Sequence, residues 1–308
     1  MTGTLLRRGI LAAAERPGTE RFVRGSRFTR SLVRRFVAGD TLADALTVSR
    51  QLAACGLTTT LDVLGENVRT EAAARSAVDA YTATLRGLRR ERLEPNISVK
   101  LTMLGLDLGD EVAYDNMKAV LQVAVDVDGF VRIDMEGSAY TARTLAITES
   151  LHESFPGAVG TVIQAYLYRS AHDVERLIER QIRVRLVKGA YAEPPSIALQ
   201  RAREVDAAYT RLMRRLLAHG RYPAIATHDP ALIQATRNFA AQEGIAPDRW
   251  EFQMLYGVRR DAQAALAREG FGMRIYVPYG RDWYPYFTRR IAERPANALF
   301  VLRQVLSR

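Results

Sequence analysis

The sequence predicts an α/β fold of the (β/α)8 barrel type, formed by a single domain. Eight short runs rich in apolar and β-branched residues recur along the chain, and longer segments with helical spacing separate them. Strands that alternate with helices form parallel sheets, and eight such units favour a closed barrel over an open sheet. No G-x-G-x-x-G motif follows the first run, which argues against a dinucleotide-binding Rossmann domain.

The eight runs have the composition of strands that are buried on both faces. Several are apolar in both phases at their beginning and become polar only near their carboxyl ends. We predict strands over residues 56–65, 96–102, 130–136, 159–166, 182–189, 223–228, 250–257 and 273–280.

Helical spacing connects these strands. Clear patterns cover residues 71–90, 112–126 and 194–217, the last with proline near its start. Ser170 is a candidate N-cap for a helix over 171–180, and Asp229-Pro230 opens another helix in the same way. Before the first strand, residues 1–55 hold two or three further helices, including 41–54, which we expect to pack outside the barrel.

Composition excludes several classes of protein. The chain has 308 residues, 48% of them hydrophobic and 25% charged, which suits a globular protein with a sizeable core. No apolar run is long enough to span a bilayer. The single cysteine, Cys55, excludes an internal disulfide, and the four histidines are too scattered for a zinc site. We expect a cytoplasmic protein without a metal.

The net charge of +10 does not indicate nucleic-acid binding. Of the 44 basic residues three are lysines, which leaves 41 arginines spread along the whole chain instead of gathered in one block. Residues 1–35 contain nine arginines and two acidic residues, Glu15 and Glu20. This segment predicts a basic amphipathic helix that contacts anionic lipid, with a solvated charged helix as the open alternative.

Polar residues gather at the predicted carboxyl ends of the strands, where parallel barrels carry their active sites. A buried polar group costs a few kcal/mol unless it is paired, about 1–3 by mutational data, so this recurrence predicts a shared ligand. Two interpretations of Lys100 are open, an ion pair with Asp134 or a Schiff base with a substrate. His228 can instead cap the next helix, and Gln164 can be an amide that is hydrogen-bonded within the core. The residues are Lys100, Asp134, Glu136, Gln164, Arg185, Lys188, Tyr191, Thr227, His228, Gln253, Tyr256 and Tyr276.

The motifs around these residues resemble the proline dehydrogenase family. They follow the family's order over about residues 96–300, and the amino-terminal helices are similar too, so the likeness covers nearly the whole chain. The combination of RLVKGAY with RRxxE is specific, and we expect the monofunctional form. The strings are SVKLT, RIDMEGS, GTVIQAYLYRS, VRLVKGAYAEP, ATHDP, EFQMLYGV, RIYVPYG and YFTRRIAERPAN.

The resemblance implies a distorted (β/α)8 barrel with the last helix on top of it and a noncovalent FAD over the strand ends. The implied reaction is oxidation of L-proline to Δ1-pyrroline-5-carboxylate by hydride transfer to FAD, with reoxidation by a quinone. A quinone acceptor implies peripheral contact with the inner membrane.

Matching positions acquire roles from the resemblance. Arg289 and Arg290 would bind the substrate carboxylate with help from Lys100, and Glu293 would hold an arginine in place. Asp134 and Tyr276 would shape the pocket, and Leu255 would pack on the substrate ring. On the cofactor side the resemblance implies Asp134, Met135, Gln164, Arg185, Val187, Lys188, Gly189, Ala190, Tyr191, Thr227, His228, Gln253, Leu255, Arg290 and Glu293.

Three alternatives remain at this point. A relative could oxidise hydroxyproline or another cyclic imino acid. A barrel lyase could use Lys100 or Lys188 as a Schiff base. A basic barrel could bind nucleic acid or membrane without catalysis.

Overall fold

The barrel predicted from the sequence is confirmed. The computed structural model describes residues 32–65 and 68–293, without the side chains of 289 and 291–293. Within these residues, eight parallel strands form a closed barrel in sequence order. They are β1 Thr58–Val63, β2 Asn96–Val99, β3 Phe130–Ile133, β4 Val159–Gln164, β5 Arg183–Val187, β6 Ala224–Ala226, β7 Glu251–Leu255 and β8 Gly272–Tyr279.

The seam between β1 and β8 closes the barrel. Six residue pairs run in register along it, from Thr58 opposite Arg274 to Val63 opposite Tyr279. Parallel pairing brings all eight carboxyl ends to one mouth of the barrel and all eight amino ends to the other.

Helices surround the barrel and cover its outer face. Apolar residues of these helices pack with strand residues such as Leu61, Ile97 and Val131 in one continuous core. The helices are α1 Leu42–Ala53, α2 Glu71–Arg90, α3 Asp110–Asp126, α4 Ser138–Ser154, α5 Ser170–Glu179, α6 Ala202–His219, α7 Pro230–Gln242, α8 Arg260–Arg268 and α9 Trp283–Glu293.

Local capping explains several helix starts. Thr41 and Asp44 form a capping box at the start of α1. Asp229 caps α7 through a hydrogen bond from the Ala231 N–H to its carboxylate at 3.0 Å. The proposed cap at Ser170 is wrong, because Ser170 lies inside α5 and its hydroxyl donates to the Gln164 carbonyl at 2.6 Å.

The barrel interior is more polar than the sequence pattern predicts. Side chains alternate between the two faces of a strand, so the interior takes every second residue. Polar residues begin at the amino ends of the strands, with Arg132, Arg183, Glu251 and Arg274 at early positions, all buried except the half-buried Arg183. The expectation that polar residues stand only near the carboxyl ends is therefore wrong.

The last helix covers the carboxyl mouth. Trp283 and Phe287 of α9 pack with Leu64, which follows β1, and Val258, which follows β7; Leu255 also contacts this cluster. The amino-terminal segment predicted to contact lipid covers residues 1–35, and its residues 1–31 lie outside the described residues. No helix of the described part of the chain has the length and apolar character needed to cross a membrane.

Candidate active site

Seven polar side chains from six strands meet inside the carboxyl half of the barrel. We call them the upper cluster. Hydrogen bonds join most of them directly, which makes this group the candidate active site at the mouth where parallel barrels carry their chemistry. The members are Asp62, Ser98, Lys100, Asp134, Arg185, Gln253 and Tyr276.

Lys100 forms a buried ion pair, but with a different partner from the one expected. Its Nζ lies 3.0 Å from Oδ1 of Asp62, and both side chains are largely shielded from solvent. The alternative pairing with Asp134 is therefore wrong, although Asp134 is near enough to act on Lys100. Burial alone would lower the pKa of Lys100, but the charges of Asp62 and Asp134 outweigh it and raise that pKa. Lys100 is thus a cation at neutral pH.

Arg185 is the centre of the upper cluster. Its buried guanidinium donates to three acceptors from three other strands: Gln253 Oε1 at 2.5 Å, Asp134 Oδ1 at 2.7 Å and Ser98 Oγ at 3.0 Å. Three fixed acceptors leave the group little freedom to rotate. The arrangement therefore holds a positive charge in one orientation inside the barrel.

Tyr276 completes the arrangement on the other side of Asp134. The phenol donates to Asp134 Oδ2 at 2.8 Å, and the Arg185 guanidinium lies 5.3 Å from the centre of its ring. Burial and the nearby charge of Asp134 raise the pKa of Tyr276 well above its usual value. The phenol therefore remains a hydrogen-bond donor, and both oxygens of Asp134 are engaged.

Lys188 lies at the edge of the same mouth, outside the upper cluster. Its Nζ bridges Asp206 Oδ1 at 2.5 Å and Asp229 Oδ2 at 2.9 Å. Partial burial opposes the charge on Lys188, but the hydrogen bonds to these two carboxylates raise its pKa. Lys188 joins the end of β5 to the starts of α6 and α7.

Thr227 and His228 fix the turn after β6. The Thr227 hydroxyl accepts from the Asp229 N–H at 3.1 Å. The His228 Nε2 accepts from the Leu255 N–H at 2.9 Å, which puts the proton of the neutral ring on Nδ1. His228 therefore connects the ends of β6 and β7, and Asp229, not His228, caps the following helix.

Gly189 sets the path of the chain after β5. Its φ of +118° lies in a region that favours glycine, and a Cβ at this position would meet the Tyr166 ring at 2.2 Å. The next residues, Ala190 and Tyr191, are exposed.

Gln164 is buried and donates to the Glu136 carbonyl at 2.9 Å.

The other predicted site residues occupy two settings. Met135 is buried in the core, Val187 is half-buried against it, and Leu255 contacts the cluster beneath α9. Arg290 on α9 lies with its guanidinium 5.3 Å from the centre of the Tyr286 ring. The side chains of Arg289 and Glu293 are outside the described residues. The roles assigned to all these residues remain predictions.

Sequence reasoning missed Asp62, Ser98 and Tyr81. The sequence did carry a signal for Asp62, because it is the one carboxylate in an apolar and threonine-rich run. It lies two residues after Thr60, so both side chains point to the same face of the strand. Ser98 stands in the same phase as Lys100. Tyr81 comes from α2, and its hydroxyl accepts from the Lys100 N–H at 3.4 Å; a helix residue of this kind gives no signal in a strand pattern.

Among the described residues, no group of three or more His, Cys, Asp or Glu side chains is arranged to hold a metal ion.

The chain matches the family model of proline dehydrogenase over residues 45–303. It is 43% identical to proline dehydrogenase 1 of Bacillus subtilis subsp. natto over 280 residues, which cover 91% of this chain and 92% of the relative. Proline dehydrogenase of Deinococcus radiodurans is 38% identical over 310 residues, with 99% of both chains covered.

A solved structure has the same fold. Proline utilization A from Bdellovibrio bacteriovorus, inactivated by N-propargylglycine, superposes with a TM-score of 0.80 at 27% identity. The match covers 85% of this chain and 32% of that one.

Proposed function

Since this chain belongs to the proline dehydrogenase family, we propose that it oxidises L-proline to Δ1-pyrroline-5-carboxylate by hydride transfer to a bound FAD, with a membrane quinone as the final acceptor. The observation that carries the proposal is the upper cluster, in which a buried cation is held rigidly by Asp134, Gln253 and Ser98.

The substrate explains why cations are needed here. Proline is a zwitterion with an apolar ring, so its carboxylate needs positive partners and its ring needs an apolar contact. Arg289, Arg290 and Lys100 are the carboxylate partners, and Leu255 is the apolar contact. Arginine suits this task because it binds a carboxylate through two parallel hydrogen bonds, which also orient the substrate.

The donor set at the carboxyl mouth fits FAD. A flavin dinucleotide has a diphosphate and a polar ring edge, so it requires cations and hydrogen-bond donors. Arg185 supplies charge on β5, Lys188 just beyond it supplies an ammonium that also bridges Asp206 and Asp229, and Gln164 supplies an amide on the neighbouring strand β4. Thr227, His228 and the loop from Gly189 to Tyr191 complete the group that would hold the cofactor. When bound, FAD supplies the hydride acceptor that no side chain provides.

Arg185 and its partners prepare the site for negative charge. A guanidinium that is already oriented costs no reorganisation when charge develops next to it. Asp134 and Tyr276 maintain that orientation from one side and Gln253 from the other. The substrate amine must lose its proton before a hydride leaves the ring, because a cationic nitrogen cannot expel hydride.

The Schiff-base alternative receives no support from the two candidate lysines. A nucleophilic lysine needs a lowered pKa, so that the amine is neutral. Ion pairing raises the pKa of both Lys100 and Lys188 despite the effect of burial. Both amines are therefore protonated at neutral pH.

The first prediction concerns the optical spectrum of the purified protein. We expect flavin absorbance that bleaches on anaerobic addition of L-proline, because the substrate transfers two electrons to the cofactor. Bleaching should be much slower with D-proline and 4-hydroxy-L-proline at equal concentration. A membrane quinone analogue should restore the absorbance.

The same samples test the alternatives. If hydroxyproline bleaches the flavin faster than L-proline does, hydroxyproline is the preferred substrate. A colourless protein that borohydride traps on a carbonyl substrate would overturn the dehydrogenase and favour the lyase.

A further inference from the structure

A cavity lies at the amino mouth of the barrel, opposite the upper cluster. Its volume is about 450 Å³. Residues at the starts of β1, β5, β7 and β8 line it together with the loops that precede β2, β4 and β6. We call it the lower cavity. The lining residues that matter for its charge are Glu94, Arg183, Arg221, Tyr222, Glu251 and Arg274.

Both carboxylates of the lower cavity are bound to one arginine. Arg274 Nε lies 2.9 Å from Glu251 Oε1, and its NH2 lies 2.9 Å from Glu94 Oε1. Its NH1 donates to the Thr59 carbonyl at 2.9 Å. Arg274 is therefore the ion-pair partner of both carboxylates, and the wall has three arginines against these two carboxylates.

Two further arginines of the wall have no such partner. Within the part of the chain that the structure describes, neither Arg183 nor Arg221 forms an ion pair with a carboxylate. Arg132 lies directly behind, where its NH1 donates to the Arg183 carbonyl at 2.7 Å. It too lacks a carboxylate partner among these residues, and its buried Nε has no hydrogen-bond acceptor.

Aromatic rings hold Arg183 in position. Its guanidinium carbon lies 4.1 Å from the centre of the Phe130 ring and 4.6 Å from that of Tyr222. Contacts with two aromatic rings restrict the position of the guanidinium. The buried Nε of Arg183 has no hydrogen-bond acceptor within the described structure.

Burial makes this arrangement costly. It lowers the pKa of Arg183 and, more strongly, that of Arg132, although the charge of Glu251 acts on both from beyond ion-pair distance. A charge removed from water without a direct ion-pair partner is costly, and an anion bound beside Arg183 would reduce that cost.

We propose that the lower cavity binds a small oxyanion, a phosphate or carboxylate group, through Arg183 and Arg221. The planar guanidinium of Arg183 presents paired donors to two oxygens of one group. A water molecule occupies about 30 Å³ in the liquid, so the cavity has room for a small organic molecule that carries the anionic group. The site is on the opposite side of the barrel from the proposed proline chemistry, and anion binding there uses none of the residues proposed to bind proline.

The test is calorimetric titration of the FAD-loaded protein with inorganic phosphate and, separately, with malonate, at constant ionic strength in chloride. We expect saturable binding of at least one of them. Arg183→Gln should weaken binding about tenfold or more, because hydrogen bonds to charged groups are stronger than those between neutral groups. Arg221→Gln should weaken it about threefold or more, since Arg221 is exposed and contributes less.

A matched control separates this site from general charge effects. Arg86→Gln removes one positive charge from the exposed face of α2 and should leave binding unchanged. Binding of phosphate alone, malonate alone or both identifies the class of anion and supports the site. The proposal is overturned if neither anion binds saturably, or if the arginine variants at 183 and 221 bind like the parent protein. If Arg183→Gln does not fold, Arg221→Gln decides.

Discussion

At the scale of single residues, the charge on Lys100 depends on its neighbours. An isolated ammonium in the barrel interior would lose its proton, because water no longer solvates it. Asp62 at 3.0 Å and the charge of Asp134 prevent this. The upper cluster therefore holds two cations, Lys100 and Arg185, and each is kept in place by a carboxylate.

We predict that Asp62→Asn destabilises the protein by about 3 kcal/mol at neutral pH. This value is at the lower end of the cost of breaking a buried ion pair, because the charge of Asp134 still acts on Lys100. The raised pKa of Lys100 fixes the pH range. A raised pKa stabilises the folded state fully below the ordinary lysine value of 10.5 and loses that effect as pH rises further. Burial also raises the pKa of Asp62 itself, so protonation of that carboxyl reduces the difference as pH falls. Urea denaturation should therefore show a difference between variant and parent that persists from neutral pH to about pH 9 and shrinks in acid.

Glu71→Gln is the matched control for this variant. It breaks an ion pair with Arg75 whose two side chains are both about two-thirds exposed. Such pairs contribute about 0–1 kcal/mol, so this variant should unfold close to the parent. Equal losses in the two variants would mean that burial of the Lys100 pair adds nothing.

The composition of the upper cluster was predictable in part. Lys100, Asp134, Arg185, Gln253 and Tyr276 could be found because they are polar residues in apolar runs at the ends of strands. The pairing inside the cluster could not be found, since several carboxylates and cations of the same strand ends can pair in more than one way. Only the three-dimensional register decides that Lys100 pairs with Asp62 and Arg185 with Asp134.

At the scale of elements, the loop after β5 depends on one glycine. Gly189 combines a φ of +118° with a position directly against the Tyr166 ring. The Tyr166 N–H also bonds to the Lys188 carbonyl at 3.0 Å, so the two loops after β4 and β5 are joined here. This junction lies next to the residues proposed to hold FAD.

We predict that Gly189→Ala destabilises the protein by about 2–3 kcal/mol, from backbone strain together with the clash. It should also lower the FAD content of the purified protein, because the shifted loop carries Lys188 and Tyr191. Thermal unfolding and the ratio of flavin to protein absorbance are the measurements.

Gly244→Ala separates the two contributions. Gly244 has a φ of +62°, and a Cβ added there would meet no atom within 4 Å. This variant should lose about 1 kcal/mol from backbone strain alone and keep its full flavin content. A Gly189 variant that matches it in both measurements would contradict the role of the Tyr166 contact.

Helix prediction succeeded where local signals decide and failed where distant contacts do. The helix predicted over residues 71–90 is confirmed as α2, and the structure shows that Thr70 caps its start. The predicted start at residue 194 is wrong, since α6 begins at Ala202. Residues 194–201 instead pair with the loop after β4, where the Tyr168 N–H bonds to the Ile197 carbonyl at 3.1 Å.

At the scale of the whole molecule, a hydrogen-bond chain runs through the barrel interior from one mouth to the other. It starts at Arg185, which donates to Gln253 Oε1 at 2.5 Å. The Gln253 amide donates in turn to Glu251 Oε1 at 2.5 Å, and Arg274 binds the same carboxylate from below. The upper cluster and the lower cavity therefore share a continuous polar network.

We predict that Glu251→Gln destabilises the barrel by about 3 kcal/mol at pH 7, because it leaves Arg274 buried with only Glu94 as a carboxylate partner. Burial would raise the pKa of Glu251, but the charge and hydrogen bonds of Arg274 outweigh it and lower that pKa. A lowered pKa stabilises the fold above the ordinary value of 4.5 and loses this effect as pH falls through the folded value.

Denaturation curves at several pH values check this prediction. The gap between Glu251→Gln and the parent should be widest at neutral pH and should close below about pH 4.5. Glu94→Gln is the control, because it binds the same arginine from a side chain that is 46% exposed. Its cost should stay below about 1 kcal/mol. A gap for Glu251→Gln that does not change with pH would contradict the role of its charge.

The amide of Gln253 gives this network a direction. It has one acceptor side and one donor side, so it joins the two ends of the barrel only while a cation lies above it and a carboxylate below. We therefore expect the effects of substitutions at positions 185, 253 and 251 not to add, because the three side chains belong to one network. A sequence library that varies only one of these positions will miss combinations in which two or three changes compensate one another.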